Sequence, residues 1–187
     1  MKEFLEYAEN HAAEILGTLR HKVEMESFTS DKAATDLLGG FIKGRFEELV
    51  ARVRMVPQEE VGDHLVVDVG EGCEQTLLLC HMDTVWPTGT IQERPLRVEA
   101  GLAYGPGILD MKAGIAVAMH ALETLRAHKE APQQRVRIII NSDEEVGSTT
   151  SRQLIEEEAK KSAQVFCLEP GAGTEGALKT GRKGVGM

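Results

Sequence analysis

The stretch QTLLLCHMD, residues 75–83, reads as a buried strand that ends in chemistry. The apolar run from Leu77 to Cys80 offers no polar face to water, as expected of a strand covered on both sides in an α/β sheet. Side chains alternate along a strand, so His81 and Asp83 project to one side and the carboxylate lies close to the imidazole ring. Working outward, Val136 to Asn141 repeats the pattern and runs into Asp143, Glu144 and Glu145. Val50 to Val56, His64 to Val69 and Gln164 to Leu168 are the other strand candidates, and the last stops at Glu169 and Pro170.

Helical periodicity occupies the intervals. Phe4, Leu5, Ala8, Ala12, Ile15, Leu16 and Leu19 share one stripe, which predicts an amphipathic opening helix over residues 2–20. Ser30 and Asp31 are good cap residues for a second helix reaching Ile42, with Gly39-Gly40 expected to weaken its middle. The alanine-rich segment Met111 to His128 predicts a largely buried helix, and Thr149 to Lys161 a polar one. Between Trp86 and Gly107 glycine and proline recur, so that segment is loop with at most short strands. Gly171 to Gly186 is glycine-rich and predicts no element. Strands alternating with helices point to an α/β layer architecture.

Composition agrees with one packed domain: 187 residues, 42% of them hydrophobic, and 21 Lys+Arg against 30 Asp+Glu for a net charge of −9. That balance argues against a nucleic-acid surface, which needs a basic patch to neutralise phosphates. No apolar run approaches the ~20 residues of a membrane span, and the opening MKEFLEYAEN lacks the basic and apolar regions of a signal peptide, so a cytoplasmic location is expected. Cys73, Cys80 and Cys167 have no C-x-x-C spacing. Cys80 and Cys167 fall in apolar runs where a reduced, buried thiol is the ordinary occupant.

Four segments place acids or imidazole just beyond strand candidates or before a helix: His81-Met82-Asp83, Asp110, Glu144-Glu145 and Glu169. Each has an ordinary reading by itself. An H-x-D pair occurs at many strand ends, Asp110 is placed to cap the helix that follows, and neighbouring carboxylates are tolerated as solvated charge. Together they favour one divalent site, because a cation removes the mutual repulsion of acids that otherwise have no reason to gather. Adjacent residues on an extended backbone point apart, so one of Glu144 and Glu145 can bind metal while the other addresses water or substrate. Oxygen donors with one imidazole and no cysteine suit catalytic Zn²⁺, Co²⁺ or Mn²⁺, and the expected chemistry is hydrolysis.

The segments LLLCHMDTVWPTG, YGPGILDMKAGIAVAMHAL, IIINSDEEVGSTTSRQLIEEEA and CLEPG resemble, in order, the motifs of the M20 family of dinuclear zinc peptidases and amidohydrolases, in particular its glutamate carboxypeptidase branch. The resemblance implies a three-layer αβα zinc-peptidase-like sheet with helices on both faces. It implies that His81 and Glu169 bind one zinc, Glu145 the second, and Asp110 both, with a cis peptide after Asp110. Glu144 would be the general base and Asp83 would orient His81. The implied substrate is a small peptide or an N-acyl amino acid, with carboxypeptidase-like release of a C-terminal glutamate-type residue. Aminoacylase, N-acyl amino acid deacetylase and dipeptidase activities, or a non-catalytic metal-binding module, are the alternatives.

Members of the family carry a further zinc-binding histidine late in the chain, after a lid domain through which they form homodimers. Residues 1–187 are therefore expected to be the N-terminal portion of an M20 catalytic domain, with an incomplete sheet, an exposed sheet edge and no activity by themselves. His11, His21, His64, His120 and His128 are expected to be surface or packed histidines away from the motifs.

Overall fold

The computed structural model describes residues 2–49 and 51–171. Five strands form one sheet in the order β1 (Arg52–Val56), β2 (His64–Val69), β6 (Arg135–Asn141), β3 (Gln75–His81) and β7 (Gln164–Cys167). β2 runs antiparallel to both of its neighbours, β1 and β6, whereas β3 runs parallel to both β6 and β7. A separate hairpin, β4 (Arg97–Glu99) with β5 (Leu102–Tyr104), occupies the glycine- and proline-rich segment. A single turn of helix, α4 (Thr90–Glu93), precedes it.

The central strands divide their side chains between two cores. Leu65, Val67, Cys80, Ile138 and Ile140 join Leu38, Ile42 and Phe46 of α3 (Lys32–Glu48) and Ile115 and Met119 of α5 (Ala113–Ala127). Val66, Leu77 and Ile139 face the opposite way and meet Leu154, Ile155 and Ala159 of α6 (Arg152–Lys161). Helices thus cover both faces of the sheet, which is why the strands read as unbroken apolar runs rather than alternating ones. Ile138, Ile139 and Ile140 are all fully buried, each worth about 1.5–3 kcal/mol in removal from water.

Three expectations need correction. The opening helix is two helices, α1 (Lys2–Asn10) and α2 (Ala12–Glu24). At the break, the His11 ring nitrogen lies 2.7 Å from the Tyr7 carbonyl and shares that acceptor with its own backbone N–H. α3 runs through Gly39-Gly40 and past Ile42 to Glu48; its cap is Asp31, accepting from the Ala34 amide, and Gly39 packs over Met82. Cys80 is buried as expected, but Cys167 is exposed because β7 lies at the edge of the described sheet. The glycine-rich segment beyond Gly171 lies outside the described residues.

Candidate metal centre

The C-terminal ends of β3, β6 and β7 lie side by side, and each hands an acidic segment to the same place. Pairing continues past the strands: the Met82 amide donates to Asn141 and the Leu168 amide to Leu79, which fixes His81, the 142–145 segment and Glu169 relative to one another. Asp110 arrives from the α5 side. Gly107, with φ +65°, makes the turn before it; a Cβ there would lie 2.4 Å from Thr84 Cγ2. The Asp110–Met111 peptide is cis, and Asp110 leaves the helical conformation at φ −114°, ψ 97°. Its carboxylate faces His81 Nε2 at 2.9 Å rather than capping α5. Gly114 on the first turn of α5 permits the closest approach in this region, since a Cβ would sit 2.3 Å from the Leu168 carbonyl oxygen, one residue before Glu169.

His81, Asp110 and Glu169 each offer a donor atom within 4.8 Å of the others. Glu169 Oε1 stands 3.2 Å from His81 Nε2, and Glu144 Oε2 stands 4.0 Å from it. Glu145 is not in that triad; its half-buried side chain lies beside it, within the field of Asp110. The imidazole itself is buried, while Asp110, Glu144 and Glu169 keep solvent access.

Asp83 lies fully buried behind His81. Its Oδ1 is 3.3 Å from His81 Nδ1, and that nitrogen is also 3.0 Å from the Asp83 carbonyl oxygen. Thr29 donates its hydroxyl to Asp83 Oδ2 at 2.8 Å, and the backbone amides of Glu144 and Glu145 donate to Oδ1 and Oδ2, each at 3.3 Å. One carboxylate therefore ties the imidazole to the segment that carries both glutamates. Because Nδ1 faces oxygen acceptors, Nε2 is the nitrogen left for a ligand.

Glu144 and Glu145 do not lie on extended backbone as expected. Glu144–Val146 forms one turn of 3-10 helix, closed by Gly147 in the left-handed region and by amides of Gly147 and Ser148 donating to Glu144 and Asp143 carbonyls. Asp143, the third acid of the run, points inward. It accepts from Asn141 and Ser151 at Oδ1 and from Thr150 and Ser151 at Oδ2. Burial opposes its charge, but those donors outweigh it and hold its carboxyl below the usual range.

The charges around His81 show what the cluster needs. Burial works against protonation of the ring, yet Asp83 and Glu169 overcome it and raise its pKa to about 11. Glu144 and Glu145 are pushed up, first by partial burial and then by neighbouring carboxylates, Glu169, Asp83 and Asp110 for the one and chiefly Asp110 for the other. Without a cation the acids press a proton onto the imidazole; a divalent ion at Nε2 answers the same demand with more charge. The hard oxygen donors and one imidazole fit such an ion.

Sequence reasoning missed two participants. Thr29 precedes α3 with nothing in its neighbourhood to mark it, and His64, expected to lie away from the motifs, is fully buried against the segment that carries the glutamates.

An acid-rich site at the ends of parallel strands is where open α/β sheets hold their ligands, and the comparisons narrow the class. Residues 77–182 match peptidase family M20/M25/M40, and the chain belongs to that family. It is 36% identical over 174 residues to carboxypeptidase G2 of Pseudomonas sp. (strain RS-16), covering 91% of this chain and 42% of that protein. It is also 36% identical over 91 residues to a succinyl-diaminopimelate desuccinylase of Rhodopseudomonas palustris (strain BisB5), covering 44% of this chain and 23% of that one. The fold matches human carnosine dipeptidase 1 with a TM-score of 0.78 at 20% identity, over 89% of this chain and 40% of that chain. It matches the M20 metallo-carboxypeptidase Sso-CP2 of Sulfolobus solfataricus at 0.73 and 20%, over 87% and 39%. The chain thus spans less than half the length of these relatives. The family is one of peptidases, and it implies divalent metal ions. No described helix is long and apolar enough to cross a membrane.

Proposed function

We propose that this chain contributes to a zinc-dependent amide hydrolase that releases a C-terminal, glutamate-type residue from a small peptide or N-acyl amino acid. The observation that carries the reading is the convergence of His81, Asp110 and Glu169 donors on one point, with Asp83 fixing the imidazole from behind. Kinship with carboxypeptidase G2 over most of the chain supports the carboxypeptidase reaction.

In this reading His81 and Glu169 would hold one Zn²⁺, Glu145 would hold a second and Asp110 would serve both; Co²⁺ or Mn²⁺ would satisfy the same donors. A divalent ion there supplies Lewis acidity toward the scissile carbonyl and toward water. Asp83 keeps the His81 ring in the tautomer that leaves Nε2 free. Glu144 keeps solvent access with its Oε2 4.0 Å from His81 Nε2, and in this reading it would take a proton from the attacking water and return it to the leaving amine. Further ligands of a second ion, a lid and a homodimer contact would come from beyond the described residues, so that residues 1–187 form the N-terminal portion of the catalytic domain.

The test is zinc stoichiometry and affinity of the metal-stripped chain, followed by hydrolysis of peptides ending in glutamate and of N-acyl amino acids, with and without a complementing C-terminal segment of carboxypeptidase G2. Glu144→Gln is expected to keep zinc and to lose about 10²–10⁴ in rate. Loss of zinc in that variant would mean that the roles of the neighbouring glutamates are exchanged. Failure of His81→Ala to weaken zinc binding would refute the site.

A further inference from the structure

We infer that His64 is a positioning residue for the site: one buried imidazole on β2 bridges the two ends of the turn that presents Glu144 and Glu145. The inference rests on the reading of those glutamates proposed above.

His64 Nδ1 lies 3.0 Å from Ser142 Oγ and accepts from the Ser142 amide at 3.3 Å. Its Nε2 lies 3.0 Å from Thr150 Oγ1. Ser142 and Thr150 are the residues at which the acidic turn leaves β6 and approaches α6. The direction of the bonds follows from what the hydroxyls already do. Thr150 gives its proton to Asp143 Oδ2 at 2.9 Å and Ser142 gives its proton to the Gly62 carbonyl. Thr150 Oγ1 can therefore only accept, so Nε2 carries the imidazole proton and donates it, and Nδ1 is left to accept from the Ser142 amide. The result is a continuous run from His64 through Thr150 to Asp143, the residue that immediately precedes Glu144.

The ring is closed off from water as well. It is fully buried, and burial holds its pKa below the ordinary value although Asp143, Asp83 and Asp63 pull the other way; Lys32 adds to the lowering. Among the described residues its hydrogen-bond partners are Ser142 and Thr150, so its hold on the site runs through the turn. Asp83 grips the same turn from the metal side through the Glu144 and Glu145 amides. His64 holds it from the sheet side, so the backbone that carries both glutamates is fixed from two sides.

His64→Leu keeps an apolar body of similar volume but removes both bonds; His64→Gln offers one donor and one acceptor again; Val67→Ala disturbs the same strand without touching the turn. Zinc affinity by chelator competition is expected to fall about tenfold in His64→Leu, to recover in His64→Gln and to stay within about twofold in Val67→Ala. Amide exchange at Ser148, Thr150 and Ser151 of the metal-free protein should quicken in His64→Leu alone. Unchanged affinity and exchange in His64→Leu, or an equal loss in Val67→Ala, overturns the inference. A wild-type chain that takes no zinc overturns the metal reading instead, and the exchange result then decides His64. Should His64→Leu fail to fold, Thr150→Val, which cuts the bridge at its far end, carries the same expectations.

Discussion

Replacing Asp83 by Asn keeps its size and removes its charge at a position with no access to water. The carboxylate accepts three bonds: Thr29 hydroxyl and Glu145 amide at Oδ2, Glu144 amide at Oδ1. An asparagine has one oxygen. If its NH₂ takes the Oδ2 side it confronts two donors, and the Thr29 hydroxyl can relieve only its own by rotating; on the Oδ1 side it confronts the Glu144 amide and the His81 Nδ1 edge. Either arrangement abandons one backbone amide, that of Glu145 or that of Glu144, so the cost is about 1–3 kcal/mol of folding stability, the usual penalty for a buried donor left unpaired. Either also removes the negative charge that Asp83 holds 3.3 Å from His81 Nδ1, where it supports the ring as a ligand through Nε2. Zinc affinity should therefore fall by about 10–100-fold, beyond what the stability loss alone explains. Urea unfolding of the metal-free protein and chelator competition on its folded form measure the two effects separately. Asp83→Asn with unchanged stability and unchanged zinc affinity would refute the assignment of Asp83 as the joint between the imidazole and the glutamate turn.

Two further outcomes follow from buried charges away from the site. Lys22 is fully buried with Met119 Sδ, 3.7 Å away, as its hydrogen-bond neighbour, and burial lowers its pKa from 10.5 to about 7. The unfolded chain binds the extra proton between those values, so stability rises with pH across that window; Lys22→Met should remove the slope and add about 1–3 kcal/mol at pH 6 in denaturant titrations. Glu158 is bound by Arg137, Lys161 and Gln75, and although burial opposes its charge these partners lower its pKa from 4.5 to about 2. Here the unfolded carboxyl protonates first as acid is added, so the stabilisation is whole above about pH 4.5 and vanishes toward pH 2. Glu158→Gln should cost about 3 kcal/mol at pH 7, with the difference from wild type closing across that range.

What could be read in the sequence was whatever depends on short-range periodicity. The runs at 77–80 and 138–140 announced doubly covered strands because both faces of those strands are apolar, and Asp31 announced α3 because a cap acts within four residues. The acids at the strand ends could be singled out as a set but not placed, since parallel pairing of β3 with β6 and β7 is set by packing between segments some 60 to 90 residues apart. The break at His11 escaped notice because the apolar stripe continues through it. The 3-10 turn at Glu144–Val146 escaped because Gly147 and Asp143 fix it through bonds that alternation does not reveal. His64 looked like one more strand residue; its partners are 78 and 86 positions away.

The acids of the site divide by how their hydrogen-bonding capacity is used. Asp83 and Asp143 are buried and accept bonds from hydroxyls and backbone amides on the segments they join. Hydrogen-bond dipoles within the fold stabilise their charge, and those bonds involve no ion. Asp110, Glu144 and Glu169 remain partly exposed, and among the described residues their ion-pair partner is a single imidazole. Three carboxylates around one ring cannot all be answered by one proton, so the surplus negative charge is carried by the residues that face solvent. An arrangement built only for stability would put the unsatisfied acids apart and let water screen them. Here the satisfied acids form a frame that forces the unsatisfied ones together, and that enforced crowding is the property a divalent ion relieves.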